Sequence, residues 1–158
     1  MKKAFLSPIV TFARMSWAAK KLFLYVFTLL LLIRLGMRFL PFDRLSRFTL
    51  KLGLRSPRNR YTLQGLIWAV LTSSRFTPGG AKCLARALTM QVLMQQQGYP
   101  SEICIGVSKR DRTTLEAHAW VESQGEVIMG WLPDLDRYHR LNNQNLTSDS
   151  LAIFSKFA

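Results

Sequence analysis

The sequence predicts an α+β fold in which a series of helices precedes a small antiparallel sheet. Apolar residues recur at helical spacing as far as Gly98, and after it the period changes to strand-like alternation. The chain has 158 residues, of which 49% are hydrophobic and 20% are charged. This length and composition suit a globular protein with a buried core and exclude an intrinsically disordered chain.

Residues 1–60 are predicted to form a basic, hydrophobic and helical N-terminal segment. Met1–Lys21 mixes large apolar and basic residues, a pattern typical of an amphipathic helix. Leu22–Ile33 is an uncharged run of 12 residues between two basic positions, whereas a membrane-spanning helix needs about 20 apolar residues. A buried core helix or an interfacial helix is therefore favoured over a spanning helix.

Two interruptions organise the chain that follows. Pro41 lacks the backbone donor that a helix interior requires, so it should break the amphipathic stretch Leu35–Leu54. Ser56–Arg60 contains Pro and Asn and is typical of a loop. The domain boundary is placed at this loop, and residues 61–158 are predicted to form the second domain.

Two helices and three strands are predicted in the second domain. The helices are Tyr61–Ser74 and Ala81–Gln97, and Gly98 should end the latter. Alternating apolar residues indicate strands at Glu102–Lys109 and Glu116–Ser123, with a third strand, Glu126–Trp131, returning after a Gly-containing turn.

Basic charge is concentrated in the first half of the chain. Residues 1–82 contain 15 Lys and Arg but a single acidic residue, Asp43, whereas residues 83–158 contain 7 basic and 8 acidic residues. Such asymmetry favours an acidic partner such as anionic lipid, an acidic peptide or nucleic acid. The alternative is a solvated basic surface that aids solubility.

The cysteine content favours a reducing compartment. The two cysteines, Cys83 and Cys104, are too few for a disulfide framework, and no cleavable secretory signal is evident. We therefore expect a cytoplasmic protein with free thiols. No Cys-x-x-Cys pair, His-x-x-x-His pair or phosphate-binding glycine loop occurs in the sequence, so neither a metal nor a cofactor is expected.

Cys83 is the candidate nucleophile. It falls in the first turn of the predicted helix Ala81–Gln97, where unpaired N–H groups and the positive end of the helix dipole favour a thiolate. The same N–H groups can bind an oxyanion. The alternative role is that of a small buried hydrophobe, which is common for a free cysteine. Cys104 lies in the middle of a strand and is expected to pack.

His118 is the candidate base, because a neutral imidazole is the usual proton acceptor for a thiol nucleophile. Trp120 lies on the same face of the predicted strand and should wall the site. A third group should accept the other imidazole N–H. Asp134 is favoured for that role and Asp136 is second, because both follow the returning strand. A packed histidine and an ordinary Pro-Asp turn are the structural alternatives.

Lys82–Gly106 followed by Ala117–Glu122 resembles the leader-peptidase half of the lasso-peptide B protein, a bacterial transglutaminase-like cysteine protease. The shared pattern is Cys-Leu-x-Arg-Ala-Leu, then a Gly-x-Pro turn and an Ile-Gly-Val strand, then Ala-His-Ala-Trp-Val-Glu. The resemblance implies a transglutaminase-like (papain-like) core over residues 61–158. It also implies a Cys-His-Asp triad, in which Cys83 and His118 occupy the matching positions and Asp134 or Asp136 is the third member.

The resemblance implies partners as well. They are a lasso precursor peptide that is cut at its leader–core junction, a separate leader-recognition protein, and an ATP-using lasso cyclase. A membrane-surface contact through residues 1–55 is a further option, and nucleic acid is disfavoured. Two other functions stay open: an acyl transferase that uses the same triad, and a non-enzymatic basic adaptor at a membrane surface.

Overall fold

The computed structural model describes residues 16–54, 60–78, 80, 82–109 and 115–141. In this part of the chain, helices precede the sheet, which confirms the predicted α+β order. The helices are α1 (Trp17–Phe39), α2 (Phe42–Gly53), α3 (Leu63–Phe76) and α4 (Cys83–Gln96). Most of the amphipathic stretch predicted at Met1–Lys21 lies outside the described residues.

Helix α1 is much longer than the uncharged run that predicts it. It spans 23 residues and continues past the basic residues on both sides of that run. Within the described residues it is the helix whose length and composition would allow a membrane crossing, although 33% of the relevant stretch is buried inside the protein. The sequence suggested that this segment is too short to span a membrane, but the length of the helix does not exclude a span. One face nevertheless belongs to the core, as predicted, through Leu22, Phe23, Val26, Leu29, Leu30 and Ile33.

The predicted helix breaks are confirmed. Pro41 separates α1 from α2 and lies at the N-cap of α2. Helix α4 ends in a Schellman motif, in which Gly98 has a φ of 78°. The Tyr99 N–H donates to the Met94 carbonyl at 2.9 Å, and the Gly98 N–H donates to the Gln95 carbonyl at 3.0 Å. These bonds satisfy carbonyl groups that the end of a helix leaves without partners.

The sheet contains the three predicted strands and a short fourth one. Its strands are β1 (Glu102–Lys109), β2 (Leu115–Ser123), β3 (Glu126–Met129) and β4 (His139–Arg140). They are antiparallel and lie in the order β3-β2-β1-β4. Strand β4 was not predicted, because two polar residues carry no alternation signal.

A single hydrophobic core joins the helices to the sheet. Buried residues of all four helices and of β1, β2 and β3 belong to it. Helix α4 lies at its centre, and between Leu84 and Met94 every residue except Arg86 is buried. Side chains from both sides of residue 60 enter this core, so the described helices α1 and α2 pack against the later elements. The boundary at residue 60 stays a prediction.

Candidate active site

Cys83 is the first residue of α4, the position that the sequence predicts for a nucleophile. Its thiol is partly buried and forms a hydrogen bond with the side chain of His118. The backbone N–H groups of Ala119 and Leu84 also donate to the sulfur. The start of a helix and the middle of a strand therefore meet at one sulfur atom.

The surroundings of Cys83 favour its thiolate. Burial raises the pKa of the Cys83 thiol, but the His118 hydrogen bond, the Ala119 N–H, the positive charge of His118 and the Leu84 N–H together outweigh burial and lower that pKa. Hydrogen bonds and positive charge stabilise the anion directly, whereas burial penalises it. The lowered pKa increases the fraction of the thiolate, the form that can attack a carbonyl carbon.

His118 has a defined orientation and a defined tautomer. Its Nε2 atom lies 2.6 Å from the carbonyl oxygen of Gly130. A carbonyl oxygen can only accept, so Nε2 must carry a proton, which leaves Nδ1 to contact the Cys83 thiol. The imidazole stacks on Trp120, with ring centroids 6.1 Å apart, and lies 5.6 Å from the Tyr138 ring. Trp120 therefore packs against the imidazole from the same face of β2, as expected, but it does not line the cavity.

The pKa of His118 shifts in the opposite direction from that of Cys83. Burial lowers the pKa of the His118 imidazole, and the hydrogen bonds to Cys83 and to the Gly130 carbonyl, together with the charge on Cys83, raise it more strongly. The positive charge of Arg86 opposes this increase. The net increase, with the lowered pKa of the thiol, favours a thiolate–imidazolium pair.

Gly130 supplies the acceptor that the sequence analysis assigns to a carboxylate. Its φ of 90° lies in the left-handed region, and a Cβ atom at this position would lie 2.9 Å from the Ala119 carbonyl oxygen. Glycine is therefore required for the chain to turn its carbonyl towards the imidazole. Gly130 lies directly after β3 but inside the strand predicted at Glu126–Trp131, so no signal in the sequence indicated this turn.

Asp134 and Asp136 do not contact the imidazole in this structure. The Asp134 carboxylate pairs with Arg137, with Nε and Oδ2 2.8 Å apart, and its side chain is 52% exposed. Asp136 lies in a short 3₁₀ helix, Leu135–Arg137. The acceptor at Nε2 is thus a backbone carbonyl, and a catalytic role for Asp134 stays a prediction. The Pro-Asp turn and the ion pair with Arg137, three residues later, hold the Asp134 carboxylate at the surface.

A small cavity of about 110 Å³ opens at the Cys83–His118 pair. Its lining combines the pair with a cationic side chain and the segment that follows β3, through Cys83, Arg86, His118, Met129, Gly130, Trp131 and Leu132. Trp131 is 67% exposed and forms the rim. The described residues bring together no group of three or more His, Cys, Asp or Glu side chains that could hold a metal ion.

Cys104 differs from Cys83 in every respect that governs reactivity. It is buried in β1 and lies opposite Trp120 on β2. Burial and the nearby Glu122 carboxylate raise the pKa of the Cys104 thiol to about 11. It packs, as predicted, and both cysteines are free.

The loop before Cys83 is anchored by a residue that the sequence analysis did not select. Arg34 of α1 donates through one terminal nitrogen to the carbonyl oxygens of Pro78 and Gly80, each at 2.5 Å. These bonds connect the N-terminal helix to the approach of α4. An arginine within an apolar helix gave no indication of this partner, because the contact joins positions far apart in sequence.

Comparison with known proteins identifies the architecture. The model of a family described as the transglutaminase-like superfamily matches residues 27–143, from within α1 to just beyond β4. No curated protein and no solved structure matches the chain. The matched region covers well over half of the chain and contains both Cys83 and His118.

Proposed function

The chain belongs to the transglutaminase-like superfamily, and from this premise we propose that it is a cysteine peptidase that removes the leader from a lasso-peptide precursor. The superfamily includes cysteine peptidases and transglutaminases, which share an acyl-enzyme intermediate. The choice of peptide hydrolysis, and of this substrate, is the part that we propose.

The observation that carries the proposal is the hydrogen-bonded pair of Cys83 and His118 at the start of α4. The lowered pKa of the thiol favours a thiolate nucleophile, and the raised pKa of the imidazole favours a protonated imidazole that can donate to the leaving group. The Gly130 carbonyl fixes the imidazole, the role that a carboxylate or amide has in related triads. A buried structural cysteine would require neither partner.

The reaction would proceed through an acyl-enzyme. The Cys83 thiolate attacks the scissile carbonyl carbon, and its oxygen becomes an oxyanion next to the free N–H groups at the start of α4. The His118 imidazolium then transfers its Nδ1 proton to the leaving amine as the C–N bond breaks. Neutral His118 next removes a proton from water, and the resulting hydroxide attacks the thioester. Collapse of that intermediate releases a carboxylate and returns the thiolate.

The lasso-precursor assignment rests on the sequence of the site region. Lys82–Gly106 and Ala117–Glu122 resemble the leader-peptidase pattern. These segments contain α4 and most of β1 and β2, and α4 and β2 supply the cavity with Cys83, Arg86 and His118. With this assignment we also propose a cytoplasmic location, a separate leader-recognition protein that delivers the precursor, and a lasso cyclase that acts on the released core.

We further propose that α1 contacts an anionic membrane surface. One stripe of α1 exposes large apolar side chains, and the basic residues Lys21 and Arg38 are exposed near its two ends. Exposed apolar residues with basic flanks are typical of an interfacial helix. The stripe consists of Trp17, Leu24, Leu31, Leu32, Leu35 and Phe39.

The proposed function is tested by intact-mass analysis of a lasso precursor incubated with this protein and its candidate recognition protein. We expect two fragments whose masses add up to the precursor plus one water. The Cys83→Ala variant should lose this activity by a factor on the order of 10⁴ or more, because no other described group can form the acyl-enzyme. Cleavage that persists in this variant would remove Cys83 from the mechanism.

The same mass spectra distinguish the alternatives. Transfer of the acyl group to an amine would give a cross-linked product without gain of water, which would indicate a transglutaminase-type reaction. An uncut precursor, in the presence of folded protein and bound partner, would favour the non-enzymatic adaptor. A thioester that forms at Cys83 but does not turn over would show that the nucleophile is active and that the acyl acceptor is missing.

A further inference from the structure

The cavity beside Cys83 contains a cation that the mechanism does not use. Arg86 lies one turn after Cys83 on α4, and its side chain lines the cavity together with Cys83 and His118. In the central stretch of α4 it is the residue that is not fully buried. Its side chain therefore leaves the core at the point where a substrate would enter.

Arg86 lacks the partners that the other site-proximal arginines have. Its Nε atom is buried and has no hydrogen-bond partner within the described residues. By contrast, Arg137 pairs with Glu116 and Asp134, and Arg140 pairs with Glu122. No acidic side chain lines the cavity of Arg86. Among the described residues, the guanidinium of Arg86 therefore has no acidic partner at this cavity, and its positive charge acts on His118.

A buried donor without an acceptor is destabilising unless a ligand supplies one. The ligand that best complements a guanidinium is a carboxylate, which can accept two parallel hydrogen bonds from it. Because the cavity is small, the substrate must carry its anionic group close to the scissile carbonyl. Apart from the His118 imidazolium, which pairs with Cys83, the described lining offers no second cation that could compete for it.

We propose that Arg86 is the substrate-recognition residue of this cavity and binds a carboxylate adjacent to the bond that Cys83 attacks. The inference rests on the proposed function and deepens it, because it names the chemical class of the group beside the scissile bond. The carboxylate belongs to an Asp or Glu side chain or to a chain terminus. Both sources present the same group to Arg86.

The test uses alkylation of Cys83, which requires no natural substrate. Iodoacetate and iodoacetamide transfer similar groups to the same thiolate, but only iodoacetate carries a carboxylate. The ratio of their second-order rate constants therefore reports recognition of the anion. A change in the thiolate fraction affects both reagents equally and cancels in the ratio.

We expect Arg86→Gln to lower the iodoacetate-to-iodoacetamide ratio by about 10-fold, as for the loss of one charge-assisted hydrogen bond. Lys82→Gln is the matched control, because Lys82 is an exposed cation directly before Cys83. It should change the ratio by less than about 3-fold, because water screens an exposed charge. Arg86→Lys retains the charge without the planar fork and should give an intermediate ratio, which provides a second measurement if Arg86→Gln fails to fold.

A protection experiment identifies the source of the carboxylate. Acetyl-Ala-Asp-amide carries a side-chain carboxylate, acetyl-Ala-Ala carries a terminal one, and acetyl-Ala-Asn-amide carries none. We expect one of the two acidic peptides to slow alkylation by iodoacetamide in the wild type but not in Arg86→Gln. The peptide that protects Cys83 more strongly identifies the source.

Equal ratios in the wild type and Arg86→Gln, or equal losses in Arg86→Gln and Lys82→Gln, would overturn the proposal. Protection by neither acidic peptide would overturn it as well, because Arg86 would then not bind a carboxylate that is part of a peptide. The proposed function is tested independently of this inference. Alkylation by iodoacetamide measures the reactivity of Cys83, and precursor cleavage measures peptidase activity, and neither depends on the preference for an anion.

Discussion

At the residue scale, the site depends on two groups that change each other's acidity. The thiol of Cys83 and the imidazole of His118 share a hydrogen bond, and the pKa of the thiol is lowered while that of the imidazole is raised. Both shifts favour the thiolate–imidazolium pair over the neutral pair. Below the thiol pKa the nucleophile is protonated, and above the imidazole pKa the leaving amine loses its proton donor.

The first prediction concerns the pH dependence of alkylation. The rate of Cys83 alkylation by iodoacetamide should rise with a midpoint below about 8.5, the pKa of a free cysteine. In His118→Ala the midpoint should move up, because the hydrogen bond and the positive charge that stabilise the thiolate are lost. Peptide mapping assigns the label, and Cys104, whose pKa is raised to about 11, should stay unlabelled. An unchanged midpoint in the variant would contradict the pairing.

The second prediction concerns Gly130. Gly130→Ala forces a Cβ atom towards the Ala119 carbonyl and strains a φ of 90°, at a cost of about 1–3 kcal/mol in stability. Its carbonyl should also leave His118, so kcat/KM should fall by about 10²-fold. Gly125→Ala is the control, because Gly125 has a φ of 86° with open space around its Cβ position. It should lower the thermal midpoint without the loss of activity.

The third prediction concerns Asp134. Since its carboxylate pairs with Arg137 and not with His118, we expect Asp134→Asn to retain activity within about 3-fold, as is usual for an exposed ion pair. The check is kcat/KM for precursor cleavage alongside the wild type. A loss of about 10²-fold or more would mean that Asp134 reaches the imidazole in the substrate complex.

At the element scale, three elements meet at the nucleophile. Helix α4 provides its first turn, β2 provides His118 and the Ala119 N–H, and the segment after β3 provides the Gly130 carbonyl. Helix α1 contributes indirectly, because Arg34 holds the carbonyls of Pro78 and Gly80 before α4. The site is therefore supported by an element from the basic N-terminal segment.

The fourth prediction tests this support. Arg34→Gln removes the charged donor that binds two carbonyls, so the loop before Cys83 should lose its fixed position. We expect kcat/KM for precursor cleavage to fall between about 10-fold and 100-fold, since small misplacements of a nucleophile slow its attack. Arg38→Gln, at an exposed position on the same helix, should have little effect. Equal activity in the two variants would show that the contact does not position Cys83.

At the scale of the whole molecule, basic charge and exposed apolar surface coincide on α1. The helix buries one face in the core and presents large apolar side chains on the other. Lys21 and Arg38 flank that exposed face, and residues 1–82 contain a single acidic residue, Asp43. Anionic lipid complements both properties, whereas a neutral surface complements only one.

The fifth prediction follows from this surface. The protein should co-sediment with phosphatidylserine-containing vesicles more strongly than with pure phosphatidylcholine vesicles, and added salt should weaken the difference. The double variant Leu24→Gln/Leu32→Gln should bind about 10-fold more weakly, since each leucine contributes apolar area. Leu54→Gln, on an exposed leucine of another element, is the control. Equal binding to both vesicle types would favour a protein partner for this face.

The sequence by itself predicted the helices, the three longer strands and the two side chains that meet at the candidate site. Periodicity and Pro or Gly signals depend on near neighbours, so the Pro41 break, the end of α4 at Gly98 and the bounds of β1 could be read directly. Cys83 could be selected because a helix start is itself a local feature. The assignment of lasso precursors as substrates stays a prediction.

Only the tertiary structure decided which groups meet those residues. The Gly130 carbonyl at His118 and the Arg34 anchor depend on contacts between separate elements, as does the burial of the Arg86 Nε atom away from any hydrogen-bond partner in the described part of the chain. Because every residue has a backbone carbonyl, the sequence cannot single out the carbonyl of Gly130, whereas the carboxylate of Asp134 is identified by its residue type. Burial of α4 on almost all sides likewise arises from packing between helices and sheet, and no local period encodes it.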